Sequence, residues 1–338
     1  MMYYLVRRLN LLLSTLFILS IITFSLGHLF PGDPVQNFSG LREFDYEQYT
    51  ILQEKYKLDG SYIQQYLAFI SQVFNGDLGV SFNSQSPVID ELFKVAPSSI
   101  ELSIYAMLLA ILVGIPLGFW AGLRHQKLID YSLYSLSVIG NSIPLFWLGL
   151  MFILLFSLNL NWLPMSGRIN LLYEIPQSTG FILYDILKSD LPYKSQALYD
   201  ALAHLILPTL TLAMVPITLL LTTTRNTVIK VMQTNYIKAA QTKGLSTWQL
   251  AKRHVFRNTM LQVIPQIALA FNVLMTSVMV TEVIFSWPGM GSWLIEAIYQ
   301  RDYPVIKAGL LVVSAFIVFI HVCIDLLHAF TNPLYRKL

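Results

Sequence analysis

Apolar residues run along this chain in long unbroken blocks, not in the alternating or one-sided patterns that build a water-soluble core. A helix crosses a bilayer in about 20 apolar residues. Six blocks reach that length: Leu9 to Leu29, Ile100 to Leu123, Tyr131 to Leu158, Leu202 to Thr224, Met260 to Phe285 and Val305 to Ala329. Ser25-Leu26-Gly27, near the end of the first, has the small-x-small form of a signal-peptidase site. That block is long for a signal-peptide core, so it reads as a retained first helix. Two polar stretches separate the blocks: residues 31–98, with an amphipathic piece from Asp45 to Phe74, and residues 159–201, with Arg168, Glu174, Asp185, Asp190 and Asp200.

Composition agrees. Of 338 residues, 55% are hydrophobic and 12% charged, where a soluble domain carries about 25% charged residues. The expectation is an all-α integral membrane protein of six transmembrane helices. Residues 1–30 hold the first span, 31–98 an extracytoplasmic lobe, 99–330 a five-helix core and 331–338 a tail. Within the core lie an outer loop, 159–201, and a cytoplasmic loop, 225–258. The net charge of +3 is small, but its placement is informative. Basic residues near Arg7, Arg124, Lys238 and Arg336 lie in short, acid-poor loops, which collect on the cytoplasmic side, so both termini are expected there. Basic residues spread along membrane-flanking loops argue against nucleic-acid binding. The single Cys323 allows no intrachain disulfide.

The segment Arg225–Asn258 is the polar stretch that organises the rest. It carries Arg225, Lys230, Lys238, Lys243, Lys252, Arg253 and Arg257 and no Asp or Glu. Val228, Val231, Met232, Tyr236, Ala239 and Ala240 recur at three- and four-residue steps, the stripe of an amphipathic helix. Gly244 accepts the left-handed backbone that ends a helix. Ser246 and Gln249 form an S-x-x-Q capping box that starts a second helix. Helix, glycine break and helix, basic throughout, suit docking to another protein; a basic helix lying on anionic lipid accounts for the charge alone.

Catalytic signatures are missing. The chain has no G-x-x-x-x-G-K-[ST] phosphate loop, no H-E-x-x-H, no paired Cys and no G-x-S-x-G elbow. Ionisable groups within spans are functional candidates. Glu282 would contact a cationic substrate if it faced a water-filled path, or pair with a loop Arg at the interface. His321, Asp325 and His328 share one helix face with metal-ligand spacing, but snorkelling at a helix end accounts for them and no metal is expected. Pro116, Pro144, Pro208, Pro216 and Pro265 are expected to kink or loosen their helices. Asn141 and Ser142, Thr209, Thr211, Thr218 and Thr222 to Thr224, and Gln262, Gln266, Asn272, Thr276 and Ser277 accompany them. Singly these groups suit bonds between helices; together they suit a path that opens and closes, with Asn141, Ser142, Thr276 and Glu282 as candidate lining.

Tyr236-Ile237-Lys238-Ala239-Ala240-Gln241-Thr242-Lys243-Gly244-Leu245 resembles the cytoplasmic "EAA" loop of ABC-importer permeases. Lys238 stands where that loop has its Glu, a departure the peptide-transport branch shares. Further stretches resemble the dipeptide/oligopeptide permeases of the B-subunit type, in order along the chain: Phe30-Pro31-Gly32-Asp33-Pro34, Gly76-Asp77-Leu78-Gly79-Val80-Ser81, Ser142-Ile143-Pro144-Leu145-Phe146-Trp147, Trp162-Leu163-Pro164-Met165-Ser166-Gly167-Arg168, Phe285-Ser286-Trp287-Pro288-Gly289-Met290-Gly291 and Asn332-Pro333. The loop around Leu171-Leu172-Tyr173-Glu174 and Thr179-Gly180-Phe181 looks most like the Sap-type permease, a branch associated with antimicrobial peptides and with putrescine export. The resemblance implies the type I ABC importer permease fold in a bacterial inner membrane and a peptide substrate. It also implies a second permease subunit, two cytoplasmic ATPases that use ATP and Mg, and a periplasmic solute-binding protein. This chain would bind no cofactor. Tyr236, Ala239 and Ala240 would seat in an ATPase groove, with Lys238 and Lys243 at its rim.

Overall fold

The computed structural model describes residues 2–41, 43 and 45–331, and among them the chain is helical with no named strand. Five helices are long and apolar enough to cross a membrane, and a sixth span forms if one bent pair counts as a single crossing. The tail with Asn332, Pro333, Arg336 and Lys337 lies outside the described residues, as do the side chains of Asp325 and His328.

The chain divides into two compact units, Met1–Ser99 with Pro288–Cys323, and Ile100–Trp287 with Ile324–Leu338. The first unit begins with α1 (Met2–Leu29) and three short helices, α2 (Pro34–Ser39), α3 (Tyr46–Tyr56) and α4 (Tyr62–Phe74). Each starts where the sequence supplies a cap. Asp33 accepts from Val35 N ahead of Pro34, and capping boxes at Asp45/Gln48 and Ser61/Gln64 open α3 and α4. Gly40 ends α2 at φ 84°, and Val80 N donates to Ser39 O beside it. A Cβ at Gly40 would lie 1.6 Å from Val80 O, so only glycine fits. Phe24, Phe38, Tyr56, Phe69 and Leu311 form one apolar cluster of this unit. Its remaining helices are α13 (Met290–Gln300) and the first part of α14 (Tyr303–Thr331). Lys307 is buried here, its ammonium 4.3 Å from the Phe38 ring centroid and donating to Asn37 O.

The second unit holds most of α5 (Val88–Leu123), then α6 (Leu128–Ser142), α7 (Leu145–Phe152), α8 (Ile182–Lys188) and α9 (Lys194–Met232). After α9 come α10 (Asn235–Thr242), α11 (Thr247–Leu250) and α12 (Phe256–Ile284). Helix α5 begins at Val88, well before Ile100, where the apolar run starts, and runs straight through Pro97. The third block, expected as one span over Tyr131–Leu158, is instead two helices meeting at 101°. Pro144 bars the α conformation from the residue before it, and Ile143 sits extended at φ −84°, ψ 125°. The second half then widens into a π-helix over Ile153–Asn159.

The other prolines do not break their helices. Pro208 and Pro216 lie inside α9, Pro265 inside α12 and Pro116 inside α5. Most hydroxyls do not bridge helices either. Those of Thr211, Thr218, Thr222, Thr223, Thr276 and Ser277 donate to carbonyls three or four residues back on their own helix. That carbonyl is the nearest acceptor a short hydroxyl reaches on a helix.

Helix α9 is the axis of this unit and packs along α12, α6 and α7. Its approach to α5 is set by Gly114, Gly118 and Gly122, one every four residues. A Cβ at these positions would lie 2.8 Å from Ile217 O, 2.4 Å from Leu221 O and 2.6 Å from Val228 Cβ. This is the small-residue interface by which membrane helices bring their backbones together.

Candidate functional site

The 225–258 segment grows directly out of α9. The apolar stripe read as one helix is split: α9 stops at Met232, Thr234 is extended (ψ 148°) with its hydroxyl donating to Val231 O at 2.6 Å, and α10 starts at Asn235. The polar trio Gln233-Thr234-Asn235 is the signal for this break, since Thr favours the residue before a helix. Beyond α10, Gly244 takes φ +82° in open space. Ser246 then caps the next helix, its Oγ accepting from Gln249 N while Ser246 N donates to Gln249 Oε1 at 3.0 Å. From Thr247 the chain runs through a π-helical turn at Ala251–Val255 into one 38-residue helix ending at Ile284.

Within α10 the candidate residues separate by face. Ile237 is fully buried in a cluster with Val228, Val231 and Val255, which fixes α10 to the foot of α9 and to the π-helical turn. Tyr236 is 47% exposed, and Lys238, Ala239, Lys243 and Gly244 are exposed, with Ala240 and Leu245 half-buried. The segment therefore offers an aromatic ring, small side chains and two cations on one outward surface. Ile237 belongs to the support beneath them.

A charged cluster missed by the sequence reading lies next to this segment. Asp130, fully buried in the first turn of α6, accepts from Arg225 Nε and, at 2.9 Å, from Arg225 NH2. It also accepts from Gln126 N at 3.0 Å and faces His125 Nδ1 at 2.9 Å. The Arg225 guanidinium lies 4.7 Å from the Tyr134 ring centroid. A forked, desolvated ion pair of this kind fixes orientation as well as charge. It ties the start of α6 to α9 ten residues before α10 begins. The available signal was an acid at the start of an apolar block beside a basic loop.

A second buried pair orders the 159–201 loop. Arg168 bonds Glu101 and donates to Gly180 O, and its guanidinium sits over Trp287 at 5.8 Å. Glu101 also accepts from Ile182 N and Leu183 N at the start of α8. Asp185 closes the same turn, accepting from both Thr179 groups, Ser178 Oγ and Gly180 N. Those bonds to the ionised form outweigh burial, which acts the other way, and hold the Asp185 carboxyl below the usual carboxylate range.

The candidate path residues fall on two helices, Asn141 and Ser142 on α6 and Thr276 and Glu282 on α12. Asn141 and Ser142 are exposed as the last two residues of α6, and Thr276 is exposed on α12. No hydrogen bond links them to Thr276 among the described residues. Glu282 has no exposed surface, and its carbonyl accepts from the buried Trp287 N at 2.8 Å.

Residues 114–337 match the family described as binding-protein-dependent transport system inner membrane component, and residues 1–103 match its N-terminal membrane component. The chain belongs to that family. Whole-length relatives agree. The permease is 38% identical over 336 residues to the di/tripeptide transport system permease protein DppB of Pseudomonas aeruginosa, covering 99% of each chain. It is 39% identical over 337 residues to the peptide transport system permease protein SapB of Salmonella typhimurium, covering 100% of this chain and 98% of that one. It is 38% identical, with the same coverage, to the putrescine export system permease protein SapB of Escherichia coli. The permease is a multi-pass membrane protein whose family works as one component of a larger transport system.

Proposed function

We propose that this permease moves peptides across a bacterial inner membrane, driven by ATP and Mg that partner ATPase subunits consume, with both termini in the cytoplasm and the 31–98 lobe outside. A second permease subunit completes the path, and a periplasmic binding protein delivers the peptide. The observation that carries the coupling role is the surface of α10: Tyr236, Ala239 and the two cations Lys238 and Lys243 face outward, while Ile237 anchors the helix from behind. Force applied to α10 reaches the spans through α9 and through the 38-residue helix beginning at Thr247. Asn141, Ser142 and Thr276 are the proposed path-lining groups; Glu282, enclosed, has no place among them. Peptide is favoured by whole-length likeness to di/tripeptide and peptide permeases.

The test is copurification of the full chain with its ATPase, and uptake of labelled dipeptide. Ala239→Glu places a charge in the outward surface and is expected to lose the ATPase while the chain itself stays folded. An unaltered ATPase yield with Ala239→Glu and with a second variant, Lys238→Glu/Lys243→Glu, would refute the docking surface. A second reading, polyamine export, is supported by the putrescine export relative. Labelled putrescine effluxed while dipeptide uptake stays at the level of a deletion strain would favour it.

A further inference from the structure

Between the end of α5 and the 225–258 segment lies a cavity of about 430 Å³, lined by Trp120, Leu123, Arg124, Lys127, Thr247 and Trp248. We propose that it binds the phosphate headgroup of an anionic phospholipid. Four observations converge on that ligand. Leu123 is the last residue of α5, so the cavity sits where an apolar span gives way to polar chain. Phe119 and Phe256 meet edge to face at 5.7 Å, so α5 and α12 pack directly at this end of the unit and the cavity has fixed walls. Arg124 and Lys127 are exposed and carry no ion pair among the described residues, and no acid lines the space. The neighbouring carboxylate, Asp130, is buried and already holds Arg225 and His125. Finally, Trp120 is 48% and Trp248 72% exposed. Large exposed indoles beside unpaired cations are costly in water and favoured at headgroup depth. Basic pockets between helices at that depth take lipid phosphates. A free phosphate would satisfy the two cations but leave both indoles and Leu123 uncovered, so lipid is the better occupant.

The site would give lipid a hold on transport. Thr247 and Trp248 open the helix that follows Gly244, so a headgroup seated on Arg124 and Lys127 would fix the position of that helix against the end of α5. The inference rests on membrane embedding and geometry and is independent of what the permease carries.

The test is native mass spectrometry of the full chain in detergent, titrated with phosphatidylglycerol, phosphatidylcholine or inorganic phosphate. Wild type is expected to retain phosphatidylglycerol well below the concentration at which phosphatidylcholine binds. Arg124→Gln/Lys127→Gln is expected to weaken phosphatidylglycerol about thirtyfold, roughly 2 kcal/mol at 1.4 kcal/mol per tenfold. The charge-preserving Arg124→Lys/Lys127→Arg is expected to restore most of it. Unchanged phosphatidylglycerol binding in the Gln pair would overturn the proposal, as would inorganic phosphate that displaces the lipid at equal concentration. So would a Gln pair that binds lipid normally but loses its copurifying ATPase, which would assign the cavity to an acidic protein surface.

Discussion

Replacing Gly118 with Ala tests the packing on which the second unit depends. A Cβ at Gly118 would lie 2.4 Å from Leu221 O, 2.9 Å from Thr224 Cβ and 3.0 Å from Leu221 Cα. Carbon contacts settle near 3.5–4.0 Å, so relief requires α5 and α9 to part by about 1 Å. Two of these three atoms are backbone, and no rotamer change avoids them. Alanine gains about 1 kcal/mol of helix propensity over glycine, while overpacking costs about 1–3 kcal/mol. A 2.4 Å approach to a backbone oxygen belongs at the upper end of that range, so the net expectation is a loss of about 2 kcal/mol, opposite in sign to what propensity alone gives. The series is graded: Gly122→Ala meets the Val228 side chain and Arg225 O, and Gly114→Ala meets Ile217 O at 2.8 Å, so both should cost less. The assay is the thermal midpoint of the full chain in detergent, with dipeptide uptake in cells as a functional readout. A Gly118→Ala midpoint equal to or above wild type would refute the close approach of α5 and α9.

Other perturbations give separate expectations. Asp130→Asn leaves the Arg225 guanidinium without its carboxylate in a largely buried position and should lower stability by about 3 kcal/mol, read by the same midpoint. Arg225→Lys, which keeps the charge but loses the fork, should cost less. Glu101→Gln unfastens Arg168 and the start of α8, so limited proteolysis should cut the 159–201 loop faster while the spans stay intact. Asp185 is held below its ordinary carboxylate value, so its bonds stabilise fully above about pH 4, the unfolded value, and their contribution is lost as pH falls through the lower folded value. The stability gap between wild type and Asp185→Asn should therefore be constant near neutrality and shrink on acidification below about pH 4; a constant gap would contradict the assignment.

Local signals were readable in the sequence because the chemistry that makes them is local. The Ser246/Gln249 capping box and the left-handed Gly244 form where the residues required it. What escaped depends on partners distant along the chain. Glu101 meets Arg168 across 67 positions and Asp130 meets Arg225 across 95. Flagging ionisable residues inside apolar blocks reaches Glu101, within Ile100 to Leu123, but not Asp130, one residue before Tyr131, and it gives the partner of neither. Gly114-x-x-x-Gly118-x-x-x-Gly122 stood in plain view as a pattern, and its facing helix did not. The Tyr131–Leu158 block hid its bend because hydropathy carries no backbone angle, although Pro144 held that information in Ile143. Glu282, fully buried, shows a related limit: depth along a helix can be counted from sequence, and the face it occupies cannot.

Helix α9 carries a mechanical consequence of its length. Its 39 residues extend about 58 Å at 1.5 Å each, nearly twice the ~30 Å hydrocarbon layer. One unbroken element thus starts in the 159–201 side of the chain, crosses the bilayer and ends two residues before α10. Pro208 and Pro216 are the only internal places among its residues where the backbone ladder lacks a rung by covalent necessity. A rod with two soft joints delivers a small rotation at one end as a bend at those joints, not as a diffuse loosening along its length. Thr211 and Thr218, whose hydroxyls bond carbonyls beside the two prolines, would then set the stiffness of each joint.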